Sequence, residues 1–144
     1  MKVSQILLQK GSAEVATISP EASVSEAVRR LSAKRIGALV VSRDRNRVAG
    51  ILSERDIVRI LGADGPTALD APVSGAMTKK VSSCAPSDTA LSVLERMTAG
   101  RFRHMPVVEA GQMTGIVSIG DVVKARIGEI EAENAAMTGM LSGF

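Results

Sequence analysis

Apolar residues recur along this chain in two alternating rhythms. Val24, Ala27, Val28 and Leu31 are spaced to line one face of a helix, and Ala90, Val93, Leu94 and Met97 repeat the pattern further on. Between and after them lie short β-rich runs. Ala38 to Ser42 and Val48 to Ser53 form one pair; His104 to Val108 and Met113 to Ser118 form another, with Gly111 in the turn. Ser23-Val24-Ser25-Glu26 has capping-box form for the first helix, and Asp88 or Thr89 starts its counterpart. Extended stretches, Val15-Ala16-Thr17-Ile18 and Val81-Ser82-Ser83-Cys84, precede the two helices. Further helices begin at Ser53 and Ser118. The predicted order is β-α-β-β-α, twice.

The two blocks hold register. Aligning Pro20 with Pro86, an offset of 66 (86 − 20), sets Arg30 on Arg96, Arg35 on Arg101 and Val41 on Val107. One extra residue between Ser42 and Val48 then reduces the offset to 65, and Gly50, Ser53 and Asp56 meet Gly115, Ser118 and Asp121. Even the lead-ins echo, Val3-Ser4-Gln5-Ile6-Leu7 against Val73-Ser74-Gly75-Ala76-Met77. Gly62-Ala63-Asp64-Gly65-Pro66 reads as a linker. Three strands cannot bury both faces alone, so two units packed as a pseudo-symmetric pair are expected, an α/β (α+β) fold. The divisions follow: 1–64 for the first repeat with its lead-in, 65–79 for the linker and second lead-in, 80–130 for the second repeat, and 131–144 for a helical extension. In the last helix Val123, Ile127, Ile130, Asn134, Met137 and Leu141 form a heptad seam. It predicts either a partner helix, hence a homodimer, or a tail folded on its own domain. Whether order extends through Gly139 to Phe144 is left open.

Composition narrows the chemistry. The 144 residues contain one cysteine and one histidine, Cys84 and His104, which argues against a disulfide and against the usual His/Cys zinc sets. Two Phe and no Trp or Tyr give no stacking platform, and the net charge of +3 is scattered, so nucleic acid is an unlikely partner. A small anionic ligand suits this balance. No apolar run approaches the roughly 18–20 residues of a membrane span, and the N-terminus lacks a signal-peptide pattern. A cytoplasmic protein is expected. With no paired-carboxylate cluster, metal set or P-loop, no enzyme activity is expected either; Cys84 and His104 make an unconvincing nucleophile pair.

The doubled Ser-x-x-Asp is the strongest chemical signal. An ionised carboxylate accepts both hydroxyls of a ribose, and a serine at a helix start lies beside backbone N–H groups that favour phosphate. The same spacing also makes Ser53 and Ser118 ordinary N-caps, and the two roles are compatible.

Gly50-Ile51-Leu52-Ser53-Glu54-Arg55-Asp56, its copy Gly115 to Asp121, the strand Ile36 to Val41 and the strand Arg103-His104-Met105-Pro106-Val107-Val108 together resemble a tandem cystathionine-β-synthase (CBS) domain pair, or Bateman module. The resemblance spans about Val3 to Ile130. It implies a non-enzymatic regulatory module that binds an adenine nucleotide, AMP or ATP first and ADP or NAD(H) next, with no metal. A dimer and an unknown regulated partner are implied too, and a stand-alone pair without an attached enzyme or channel domain is expected. The implied ligand residues are Thr17, Ile18, Pro20, Ala38, Leu39, Ser53, Arg55 and Asp56 from the first repeat. From the second come Ser83, Cys84, Pro86, Arg103, His104, Met105, Pro106, Ser118, Asp121 and Lys124. Arg55 is expected at the first site, and Arg101, Arg103, His104 and Lys124 around the second, so the two sites should differ in affinity or ligand. The alternative is a structural or protein-interaction module that binds no nucleotide.

Overall fold

The computed structural model describes residues 1–11 and 14–141; Ser142, Gly143 and Phe144, part of the terminal segment left open above, lie outside the described residues. The chain runs α1 (Val3–Lys10), β1 (Thr17–Ile18), α2 (Val24–Lys34), β2 (Ala38–Val41), β3 (Gly50–Ser53) and α3 (Glu54–Asp64). A 3-10 turn (Gly65–Asp70) leads to α4 (Val73–Ala76), α5 (Ala90–Gly100), β4 (His104–Glu109), β5 (Gln112–Ser118) and α6 (Ile119–Leu141). The mixed α+β architecture of two repeats and a long last helix is as expected.

Local signals act where the residues place them. Ser23 Oγ caps α2 by accepting from the Glu26 N–H at 3.1 Å. Only half of the capping box forms, because the Glu26 carboxylate turns to Arg30 instead. Thr89, not Asp88, caps α5; Asp88 accepts from the Ala85 N–H. The β4–β5 hairpin turns on Ala110 (φ 52°) and Gly111 (φ 76°), the paired positive φ of a two-residue turn matched to strand twist. The expected linker starts later than its glycines suggest. Gly62 and Ala63 continue α3, and the chain changes course at Gly65 (φ 72°), followed by Pro66 in the first turn of the 3-10 segment. Proline is tolerated there because its missing N–H has no intrahelical partner to lose.

The two sheets differ for a single-residue reason. In the first, β1 runs parallel to β2, and β2 antiparallel to β3. Val40 N–H donates to the Ala16 carbonyl, and Ser42 N–H to that of Ile18. In the second, Val108 N–H donates to the Cys84 carbonyl, but the position equivalent to Val40 is Pro106, which has no N–H. The opening strand expected at 81–84 is therefore reduced to one parallel bridge, Cys84 to Val107, with a bulge beside it between Val107 and Val108.

Two apolar cores result, and the lead-in helices exchange between them. Val3 and Ile6 of α1 pack with Ala90, Val93, Met105, Val107 and Val117 of the second repeat. Val73 and Ala76 of α4 pack with Val24, Leu31, Leu39 and Leu52 of the first. The backbone repeats this crossing. Val3 and Ser4 donate to the carbonyls of Asp88 and Pro86, while Val73 and Ser74 donate to those of Ala22 and Pro20. Chain order assigns α1 to the first repeat; packing puts it in the second.

The motif glycines make room for this docking. A Cβ on Gly50 would lie 2.6 Å from the Met77 sulfur and 2.8 Å from the Thr78 carbonyl; one on Gly115 would lie 2.8 Å from Leu7 Cδ2. The aligned arginines have matching work. Arg30 donates to the Thr17 carbonyl, and Arg96 to the Ser83 carbonyl, each pinning an opening segment.

Helix α6 packs on α5 through the buried Val122 and Ala125. Its heptad seam does not fold back: Val123, Ile127, Ile130 and Met137 are 38%, 51%, 44% and 60% exposed. No described helix is long and apolar enough to cross a membrane.

Candidate functional site: two clefts between the repeats

Two clefts lie where the repeats meet, and each takes its parts from both. The larger, of about 1140 Å³, sets the second motif (Gly115, Ser118, Asp121) against Val15, Ala16 and Ile36 to Ala38 of the first repeat. The smaller, of about 570 Å³, sets Ser53 and Asp56 against Val81, Ser82 and Arg101 to His104 of the second repeat. The motif of one repeat thus faces the opening segment of the other. This corrects the grouping by repeat: Arg101, Arg103 and His104 line the Asp56 cleft together with Arg55. His104 also lines the Asp121 cleft. Lys124 lines neither.

The remaining residues implied by resemblance take different places. Ala38, Pro86, Ser118 and Asp121 line the larger cleft. Ile18, Leu39, Cys84 and Met105 are core side chains. Pro20 and Pro106 are engaged through their carbonyls, with Ser74 N–H and Cys84 N–H. Thr17 lines a smaller pocket of about 370 Å³ with Arg30 and Arg45, and Ser83 lines none of the three. Burial pushes the Cys84 thiol up to about 11, which keeps it protonated and inert.

Both motif aspartates are caps, with different surroundings. Asp56 Oδ2 accepts from the Ser53 N–H at 2.9 Å and the Ser53 hydroxyl at 3.0 Å, and the Asp56 N–H donates back to Ser53 Oγ. Asp56 Oδ1 accepts from the Thr78 hydroxyl at 3.1 Å and from Arg59 at 3.2 Å. Both carboxylate oxygens are engaged, and the residue is 7% exposed. Asp121 Oδ2 accepts from the Ser118 N–H at 2.8 Å and pairs with Lys10 at 2.9 Å. Its Oδ1 has no hydrogen-bond partner among the described residues. Burial pushes this carboxyl up, but the Ser118 N–H and the Lys10 ammonium outweigh it and hold it below the usual range. Lys10 also donates to the Ile116 carbonyl at 2.9 Å.

His104 stands between the clefts. A Cβ on Gly37 would lie 3.3 Å from its Cε1, so the lack of a side chain there admits the imidazole. Burial holds His104 below its ordinary value, with the Glu54 and Asp121 carboxylates opposing the shift.

Lys10, Lys80, Thr78 and Gly37 were missed from the sequence. The echo between lead-ins carries the signal: its offset of 70 (73 − 3) also aligns Lys10 with Lys80. Nothing in that echo says which motif each lysine meets.

The fold and clefts define a paired-repeat binding module, with each cleft built across the junction. The CBS domain family model matches residues 3–63 and 73–128, and the chain belongs to that family. It is 37% identical over 125 residues to a 17.7 kDa protein of Acidianus ambivalens, covering 86% of this chain and 72% of that one. It is 34% identical to a mitochondrial CBS domain-containing protein of Arabidopsis thaliana, covering 84% of this chain but 61% of that protein. Among solved structures, the CBS-domain containing protein of Agrobacterium tumefaciens superposes with a TM-score of 0.84 at 45% identity, over 88% of this chain and 99% of that one. A CBS domain protein of Pyrobaculum aerophilum, solved in complex with AMP, superposes with a TM-score of 0.74 at 26% identity, over 84% and 89%.

Proposed function

We propose that this chain is a non-enzymatic regulatory module that binds an adenine nucleotide in the clefts between its repeats. The observation that carries this reading is the crossed construction: each Ser-x-x-Asp faces the opening segment of the other repeat. A ligand held by both sides ties the repeats together and favours whichever arrangement it binds better. Asp121 Oδ1 accepts ribose hydroxyls; Ser53, Ser118 and the first-turn N–H groups meet phosphate. AMP and ATP are the first candidates and NAD(H) the next; the AMP-bound Pyrobaculum relative supports the adenine class. The module works as a cytoplasmic homodimer joined along the exposed seam of α6, and passes its state to a protein partner. A second reading, a structural module without nucleotide, is favoured by the complete engagement of Asp56 as a cap.

One panel separates the two. Thermal unfolding is followed with AMP, ADP, ATP, NAD⁺ and NADH, with GMP as control, on the wild type, Asp56→Asn and Asp121→Asn. These substitutions keep an acceptor oxygen for the caps. Ligand at about 100 times its Kd adds about 2.7 kcal/mol, a rise of roughly 5–10 °C for a chain of this length. A rise with adenine ligands that Asp121→Asn reduces supports the sensor. A flat panel supports the structural module. Sedimentation of the wild type and Ile127→Glu tests the seam: the variant is monomeric, and equal masses would sink the dimer.

A further inference from the structure

The crossing of the repeats gathers the cations of the molecule unequally. Arg55, Lys80, Arg101 and Arg103 all line the Asp56 cleft, and Glu54 is the acidic residue facing them besides Asp56 itself. None of these four cations has an ion-pair or side-chain hydrogen-bond partner among the described residues. Asp56 does not neutralise them. It is buried, and its own charge is met by Arg59, which lies outside the cleft lining and also donates to the Ala76 carbonyl.

The equivalent positions of the other cleft are different. Arg55 corresponds to Gly120 and Arg103 to Gly37. Lys80 corresponds to Lys10, whose ammonium is engaged by Asp121 and the Ile116 carbonyl. That leaves Lys34 and Arg35 in the larger cleft, facing Glu14. Volume runs the other way, about 1140 Å³ against about 570 Å³, so the tighter cleft carries the denser charge. Like charges converging on one concave surface repel one another, and a polyanion relieves that repulsion while a nucleoside does not.

We infer that the two clefts sort adenine ligands by charge: the Asp56 cleft takes a polyphosphate such as a nucleoside triphosphate, and the Asp121 cleft takes a nucleoside or its monophosphate. This assignment rests on the adenine-nucleotide reading above. It does not require a different fold for the two sites, only the replacement of two arginines by glycine.

Titration calorimetry on the full chain tests it, with ATP, AMP and inorganic tripolyphosphate as probes. The proteins are the wild type, the Arg55→Ala/Arg103→Ala double variant and Asp121→Asn. Both arginines are exposed and unpaired, so the double variant keeps its unfolding midpoint, which is measured alongside. In the double variant ATP affinity falls about tenfold or more, the size of one lost charge-assisted hydrogen bond, while AMP affinity stays within about threefold. In Asp121→Asn the order reverses. Added salt weakens ATP binding more than AMP binding. Equal losses for ATP and AMP in the double variant overturn the sorting. If no adenine ligand binds the wild type, the nucleotide reading fails on its own. Tripolyphosphate then decides the charge assignment: binding lost in the double variant upholds it, and absence of binding overturns it.

Discussion

The two clefts are built to one plan and furnished differently. Both have a Ser-x-x-Asp cap, a glycine under a docked lead-in, a lead-in lysine and an arginine in the left-handed conformation ending the first helix, Arg35 (φ 54°) and Arg101 (φ 56°). They part at a handful of positions: Val40 against Pro106, Gly37 against Arg103, Arg55 against Gly120. The shared residues are those the backbone needs in order to fold and dock. The divergent ones face the cleft or trim a strand, where the fold tolerates change. Pro106 illustrates this. It removes one hydrogen bond from the second sheet and leaves the Ser82 carbonyl, beside the Asp56 cleft, without the backbone donor that Ala16 has in Val40.

The largest difference between the two halves is expected at the motif glycines. Gly50→Ala places a methyl group against the Thr78 carbonyl, which is backbone and cannot rotate away, and costs about 3 kcal/mol. At Gly115 the nearest atoms are the ends of the Leu7 side chain, which can turn, and the same substitution costs about 1 kcal/mol. Urea midpoints of the two variants measure the difference, and equal shifts would mean that the lead-ins dock equally rigidly.

A smaller difference is expected at the aspartates. Asp56→Ala strands the Thr78 hydroxyl, the Ser53 N–H and Arg59 in a half-buried setting and costs about 2 kcal/mol. Asp121→Ala removes a cap and a partly exposed ion pair, and costs about 1 kcal/mol. Thermal unfolding without ligand ranks them.

The mildest test is pH. His104 titrates below its ordinary 6.5 in the folded chain, so the unfolded state binds its proton first. The stability this histidine confers is complete well above pH 6.5 and is lost as pH falls from there through the folded value. Asp121 is lowered from 3.8, so its contribution survives to about pH 4 and is lost below it. Two separate acid steps are expected in the unfolding midpoint. His104→Gln removes the upper step and leaves the lower. A single step near pH 4 in the wild type would place His104 in water rather than between the clefts.

Much of the fold was legible because its signals are local. Helix faces, caps and the Ala110-Gly111 turn depend on residues within a few positions of one another, and the doubled register made each reading twice. Other readings changed with the structure. The 81–84 strand shrank because of a proline 22 residues away from its end, visible in the sequence but meaningful only once paired. The linker moved because glycine inside a helix is penalised, not forbidden. The grouping of Arg101 and Arg103 with Asp121 gave way to the Asp56 cleft, while His104 lines both, because sequence order does not say which motif faces which opening segment. The α6 seam was recognised from its spacing, and its exposure shows that it does not fold back on its own domain.

By itself, the amino-acid sequence determined that there are two equivalent units in register, where their helices begin, and that a carboxylate recurs where strand meets helix. These follow from periodicity and short-range hydrogen bonding, which act along the chain. Only the tertiary structure decided that α4 closes the core it has just left and that α1 is carried to the other. The two docking surfaces are near copies, so the echoing lead-ins cannot tell them apart by pattern. Chain connectivity and packing make the choice, and that choice puts four cations in one cleft and a lysine on the aspartate of the other.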